Sequence, residues 1–156
     1  MKSRKPTFLL LLKEHEDMEH LFDSHQRALL SRDLESALAM ISIFSRTLER
    51  HIDYEEKSVL PLYVAKGGET EGGTLKIFQA EHNKLRDFAA KLTKHTAALY
   101  GSRDILGSIL ALLDQEAMFK GLLSHHTLRE HTLLFPRLDA RTTVEERRKV
   151  LKKEAS

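Results

Sequence analysis

No glycine or proline occurs between Thr7 and Leu60, and none between Thr74 and Tyr100. Runs of that length without the two residues that most disturb a regular backbone point to long helices. The breakers are gathered at the joints. Pro6-Thr7 opens a first segment, with Thr7 positioned to cap it. Arg32-Asp33 divides it from a second segment, which runs to Pro61, and Lys66-Gly67-Gly68-Glu69-Thr70-Glu71-Gly72-Gly73 is a loop. A third segment covers about Thr74 to Tyr100 and is ended by Gly101-Ser102. The fourth covers about Arg103 to Leu134 and is closed by Pro136. Thr142-Thr143 ahead of Glu145-Glu146 has capping-box spacing and starts a short, charged terminal helix.

Apolar periodicity agrees with the punctuation. Ala37, Ile41, Phe44, Leu48, His51 and Glu55 recur every three or four residues, as do Leu75, Phe78, His82, Leu85, Ala89 and Leu92. Each set lies along one face of a helix, and no segment alternates as a half-buried strand would. The expectation is an all-α fold. It is an up-down-up-down antiparallel four-helix bundle over about residues 7–136, with a short C-terminal helix, and 1–156 form one domain.

Composition removes several kinds of chemistry. Cysteine is absent, which excludes disulfides, thiolate catalysis, zinc ribbons and cysteine-held iron–sulfur clusters. Lys and Arg total 25 against 23 Asp and Glu, a net charge of +2. That near-balance argues against a nucleic-acid partner. The apolar run Phe8 to Leu12 is cut off by Lys13; a signal-peptide core needs about 7–15 apolar residues and a membrane span about 20. The expected location is cytoplasmic, with no membrane partner.

What a plain bundle would avoid is the content of its core stripes. His51 and Glu55 continue the second stripe, and His82 lies within the third. The first runs Leu11, His15, Met18, Phe22. The fourth runs Ile109, Leu112, Phe119, Leu123, His126, Glu130, imperfectly, because Glu116 also falls on it. The halves repeat. His51-x-x-x-Glu55-Glu56-x-x-x-Leu60-Pro61 matches His126-x-x-x-Glu130-His131-x-x-x-Phe135-Pro136, and Glu14-His15 with Met18 matches Glu81-His82 with Leu85. Residues four apart project from one helix face, so two such motifs facing each other bring two histidines and two carboxylates to one level. The other two helices each add a histidine. Unpaired ionisable groups cost several kcal/mol each on burial. Two metal ions bridged by the carboxylates, with an imidazole pair on each, would compensate them. This donor set favours iron, with manganese or zinc possible.

The remaining histidines and acids read differently. His20, His25 and His95 are expected at the surface, whereas His125 and His131 flank the fourth-segment motif as secondary candidates. Glu14, Glu56 and Glu81 adjoin ligands but point about 100° away, either orienting imidazoles or solvated. Tyr54 is expected to pack. The basic residues Arg147, Arg148, Lys149, Lys152 and Lys153 read as a solvated face.

On the paired motifs the chain resembles the hemerythrin-like, or HHE cation-binding, domains over roughly residues 7–136. That resemblance implies a non-haem di-iron centre, oxo- or hydroxo-bridged. His15, His51, His82 and His126 would be terminal ligands, and Glu55 and Glu130 bridges. It also implies a small diatomic ligand, oxygen or nitric oxide, and a role in sensing, storage or buffering of the gas or of iron. The alternative is a di-iron redox enzyme acting on peroxide or nitric oxide, or an iron donor for repair of damaged iron centres. One turn after His82, where oxygen-carrying hemerythrins have a further histidine, this chain has Arg86.

Overall fold

Side-chain caps start the long helices of the computed structural model, which describes residues 5–154. The Thr7 hydroxyl accepts the N–H of Leu9 and opens a 3-10 turn, Phe8–Leu11, that leads into α1, Leu12–Leu30. Asp33 accepts the N–H of Ser36 at the head of α2, Leu34–Tyr54. Thr74 caps α4, Leu75–Ala98, and Asp104 caps α5, Ile105–Arg129. Between α2 and α4 lies α3, Leu60–Ala65; beyond α5 come α6, Phe135–Arg141, and α7, Val144–Glu154. No strand occurs among the described residues, and none of their helices is long and apolar enough to cross a membrane. The molecule is a helical bundle in which α1 packs on α2, α2 on α4, α4 on α5, and α5 back on α1.

The prolines do not end their helices. Glu55–Val59 and Glu130–Leu134 form single π turns, closed by Leu60 N–H to Glu55 C=O and by Phe135 N–H to Glu130 C=O. Pro61 and Pro136 follow as the second residues of α3 and α6. In a regular α-helix a proline ring strikes the carbonyl four residues back. The wider π turn moves that carbonyl aside, so the chain continues helical past both expected stops. Such turns are often found at functional sites, and here each begins on the glutamate of its His-x-x-x-Glu motif.

The core has two apolar layers. One contains Met18, Phe22, Phe44, Leu48, Leu85, Phe119 and Leu123; the other contains Phe8, Leu11, Val59, Tyr63, Phe78, Leu134 and Phe135. Every histidine-bearing stripe crosses from one layer to the other at its histidine: Leu11–His15–Met18, Phe78–His82–Leu85. The terminal helix is more than a solvated tail. Val150 and Leu151 pack on the second layer, Tyr54 donates to Val150 C=O, and Arg147 donates to the carbonyls of Pro6, Asp139 and Thr142. Its start is the expected capping box: Glu146 N–H donates to the Thr143 hydroxyl, and Thr143 N–H to the Glu146 carboxylate.

Candidate metal centre

Between the two apolar layers, His15, His51, Glu55, His82, His126 and Glu130 meet at one level, all buried. Their donor atoms form two overlapping groups. One is His15, His51, Glu55 and Glu130; the other is Glu55, His82, His126 and Glu130; within each, the atoms lie within 4.8 Å of one another. Both carboxylates belong to both groups. Glu55 turns Oε1 to His51 Nε2 at 3.3 Å and Oε2 to His82 Nε2 at 3.2 Å. Glu130 turns Oε1 to His126 Nε2 at 2.8 Å and Oε2 to His15 Nε2 at 3.0 Å. Each carboxylate therefore offers one oxygen to each group, as a bridge between two cations does.

Hydrogen bonding leaves this level unfinished. Among the described residues, both oxygens of Glu55, both oxygens of Glu130, and Nε2 of His82 and His126 are buried without a well-formed hydrogen bond. A buried polar atom without a partner costs about 1–3 kcal/mol, and a charged one more. Six together, all turned inward, fit a site built to coordinate cations.

The outer faces of three of the four rings are finished. His51 Nδ1–H donates to Glu14 at 2.5 Å, His82 Nδ1–H to Glu56 at 3.0 Å, and His126 Nδ1–H to Glu81 at 2.8 Å. A proton held on Nδ1 leaves the Nε2 lone pair facing inward, which is the tautomer a metal requires. Two of these acids are themselves braced. Arg86 donates to Glu56, and also to Glu49 and Asp53. Arg129 donates to Glu81 and to the carbonyl of Gly72. The loop that carries Gly72 is pinned through Tyr63, whose hydroxyl donates to Gly73 C=O. Gly68 lies so close to the Tyr63 ring that a Cβ would sit 2.2 Å from it.

Electrostatics follow the geometry. Burial pushes the carboxyls of Glu56 and Glu81 up, but Arg86 with His82, and His126 with Arg129, outweigh it and hold both below the usual carboxylate range. Burial and the like charge of Glu130 push Glu55 up, and the facing His51 and His82 bring it below its ordinary value. Glu130 is held well below, chiefly by His126 and His15 against the pull of burial. Burial lowers His126, but Glu130 and Glu81 overcome that and push it up to about 10. His51 is likewise raised well above its ordinary value by Glu55 and Glu14, against burial.

One expectation about the histidines needs correction. His25, expected at the surface, is fully buried: Nδ1–H donates to Ala37 C=O at 2.8 Å, and Nε2 is hydrogen-bonded to Glu116 Oε1 at 2.5 Å. Gln26 donates to the other Glu116 oxygen. The clue was in the spacing, since Met18, Phe22, His25 and Leu29 form a single stripe. Glu116, which spoiled the fourth stripe, is its partner. Of the two readings open for Glu14, Glu56 and Glu81, the contacts match the first: each carboxylate accepts from the Nδ1–H of one of the clustered imidazoles. Their supports Arg86 and Arg129 carried no such marking in the sequence beyond their place one turn or so after a ligand. His20 and His95 are exposed as expected; so are His125 and His131, and neither joins the donor groups. Tyr54 packs.

Searches against family models, curated proteins and solved structures found no match for this chain.

Proposed function

We propose that the protein is a dinuclear non-haem metal protein of the hemerythrin-like type, holding two iron ions. The observation that carries the reading is the shared pair of carboxylates: Glu55 and Glu130 each face both donor groups, and their oxygens are buried with no hydrogen-bond partner. In this reading the four long helices run up-down-up-down and antiparallel. His15 and His51 serve one ion, His82 and His126 the other. Bound iron would supply reversible binding of a diatomic gas and one-electron redox chemistry.

The chain's own residues define the rest. Glu14, Glu56 and Glu81 fix the imidazoles, and the apolar layers exclude bulk water from both ends. Six protein ligands for two ions leave positions for oxygen, nitric oxide or water. The role we infer is binding, for sensing, storage or buffering in the cytoplasm.

The test is reconstitution with ferrous iron under anaerobic conditions, followed by absorption spectra on adding oxygen or nitric oxide. A new ligand-dependent band that reverses on removing the gas supports binding. Steady consumption of peroxide or nitric oxide in the presence of a reductant would move the assignment to the redox enzyme.

A further inference from the structure

The internal repeat is broken on one side of the centre. When the halves are matched, Glu56 corresponds to His131 and Arg86 to Glu19. Glu56 and Arg86 close the centre beside His82, the first bonded to the ligand and the second to the first. His131 and Glu19 form no such lock; both are exposed. In their place lies a cavity of about 300 Å³ along the seam of α1 and α5, with His15, Glu16, Glu19, Ser124, Thr127 and His131 among its lining. It ends on a ligand. Directly behind His15, at 3.0 Å from its Nε2, is Glu130 Oε2, fully buried and without a hydrogen-bond partner.

We propose that this seam is the port by which a divalent cation enters the centre, with Glu16, Glu19 and His131 handing it to the His15–His51 position. The proposal rests on the reading of the centre as a metal site. The engagement of the acids separates this face from the others. Beside His82 and His126, Glu56 and Glu81 are already locked to Arg86 and Arg129. Along the seam an incoming cation meets carboxylates, and neither Glu16 nor Glu19 forms a salt bridge among the described residues. An apolar gas needs no such lining, whereas a hydrated cation exchanges its water for carboxylate and imidazole donors in steps. The donors of the seam do not converge into a third group among the described residues. They pass an ion on rather than keep it.

The test is the rate of cobalt(II) uptake by the full chain after metal depletion, read with an indicator dye for free cobalt, together with the final cobalt content. The variants are Glu16→Gln with Glu19→Gln, Ser124→Phe, and a charge-matched control, Glu71→Gln with Glu145→Gln. Charge-lined clefts raise association rates by about 10-fold or more at low salt. The seam variant should therefore load about tenfold more slowly, with the gap closing as salt screens the cleft. Ser124→Phe should load slowly at any salt concentration. The control should match wild type, and all should reach the same final cobalt content. Equal rates for seam variant and wild type, or equal slowing in the control, would overturn the port. A lower final content in the seam variant would also overturn it, by making those acids part of the centre. If wild type itself takes up no cobalt, the metal centre fails first, and the port with it.

Discussion

At His25 and Glu116 both ring nitrogens and both carboxylate oxygens have protein partners, supplied by Ala37, Gln26 and each other. At Glu55 and Glu130, in the same core and equally buried, four carboxylate oxygens have none. The two clusters use the same residue types, and Phe22, which packs against His25, also packs against Phe44 and Phe119. Burial and residue type therefore do not distinguish a metal site from a structural pair. Satisfaction does. A pair that completes itself needs nothing more, whereas a ring of inward-facing acceptors asks for cations.

The sharpest way to break the comparison is to remove one member of the finished pair. Glu116→Ala leaves His25 buried and half-bonded, and breaking a buried pair costs about 3–5 kcal/mol. Thermal melts should show that loss equally with and without chelator, and metal content should not change. Replacing both partners with apolar residues, His25→Leu with Glu116→Met, should recover most of the loss. A chelator-dependent loss in Glu116→Ala would merge the two clusters into one.

Metal removal acts on the unfinished cluster alone. A ligand that binds only the folded form stabilises it by about 2.7 kcal/mol at a hundred times its Kd, a midpoint shift of roughly 5–10 °C for a chain of this size. Chelator should abolish that shift in wild type, and Glu130→Ala should show a smaller shift to abolish.

These contrasts mark what the sequence could carry. The four stripes and the six inward residues were legible because helical spacing projects them onto one face, and because the motif occurs twice. The π turns were not legible, since proline within a periodic run usually ends a helix and only the backbone shows how the clash is avoided. His25 lay on its stripe in plain view, but its partner is 91 residues away. No local spacing pairs it with Glu116. Arg86 and Arg129 were hidden for the same reason: bracing a carboxylate on another helix leaves no periodic trace.

A smaller effect is expected from the outer carboxylates. Glu81→Gln and Glu56→Gln keep the shape but weaken the hold on His126 and His82, and such changes typically cost 10–100-fold in metal affinity (about 1.4–2.7 kcal/mol). Competition with a calibrated chelator reads this directly. Neither change should alter the melting of the metal-depleted protein by more than about 1 kcal/mol.

The subtlest readout is the proton. In metal-depleted protein His126, pushed up to about 10 by its carboxylates, favours the imidazolium form at neutral pH, with a proton on Nε2 as well as Nδ1. A histidine whose folded value lies above its ordinary 6.5 or so stabilises the fold fully below that pH, and the contribution is lost as pH rises toward 10. Metal must displace that proton, so binding at pH 7.5 should release about one or more protons per chain, and metal affinity should rise with pH over this window. The metal-depleted protein should lose stability across the same window. A pH indicator in weakly buffered solution measures the release. Binding without proton release would mean that His126 is already neutral in the metal-depleted protein.

The central claim is that Glu55 and Glu130 are shared by two ions, and metal content after anaerobic ferrous reconstitution tests it most directly. Wild type and Glu116→Ala should each bind two ions per chain, and Glu55→Ala and Glu130→Ala should fall clearly below two. No metal in wild type, or the same content in all four proteins, would contradict it.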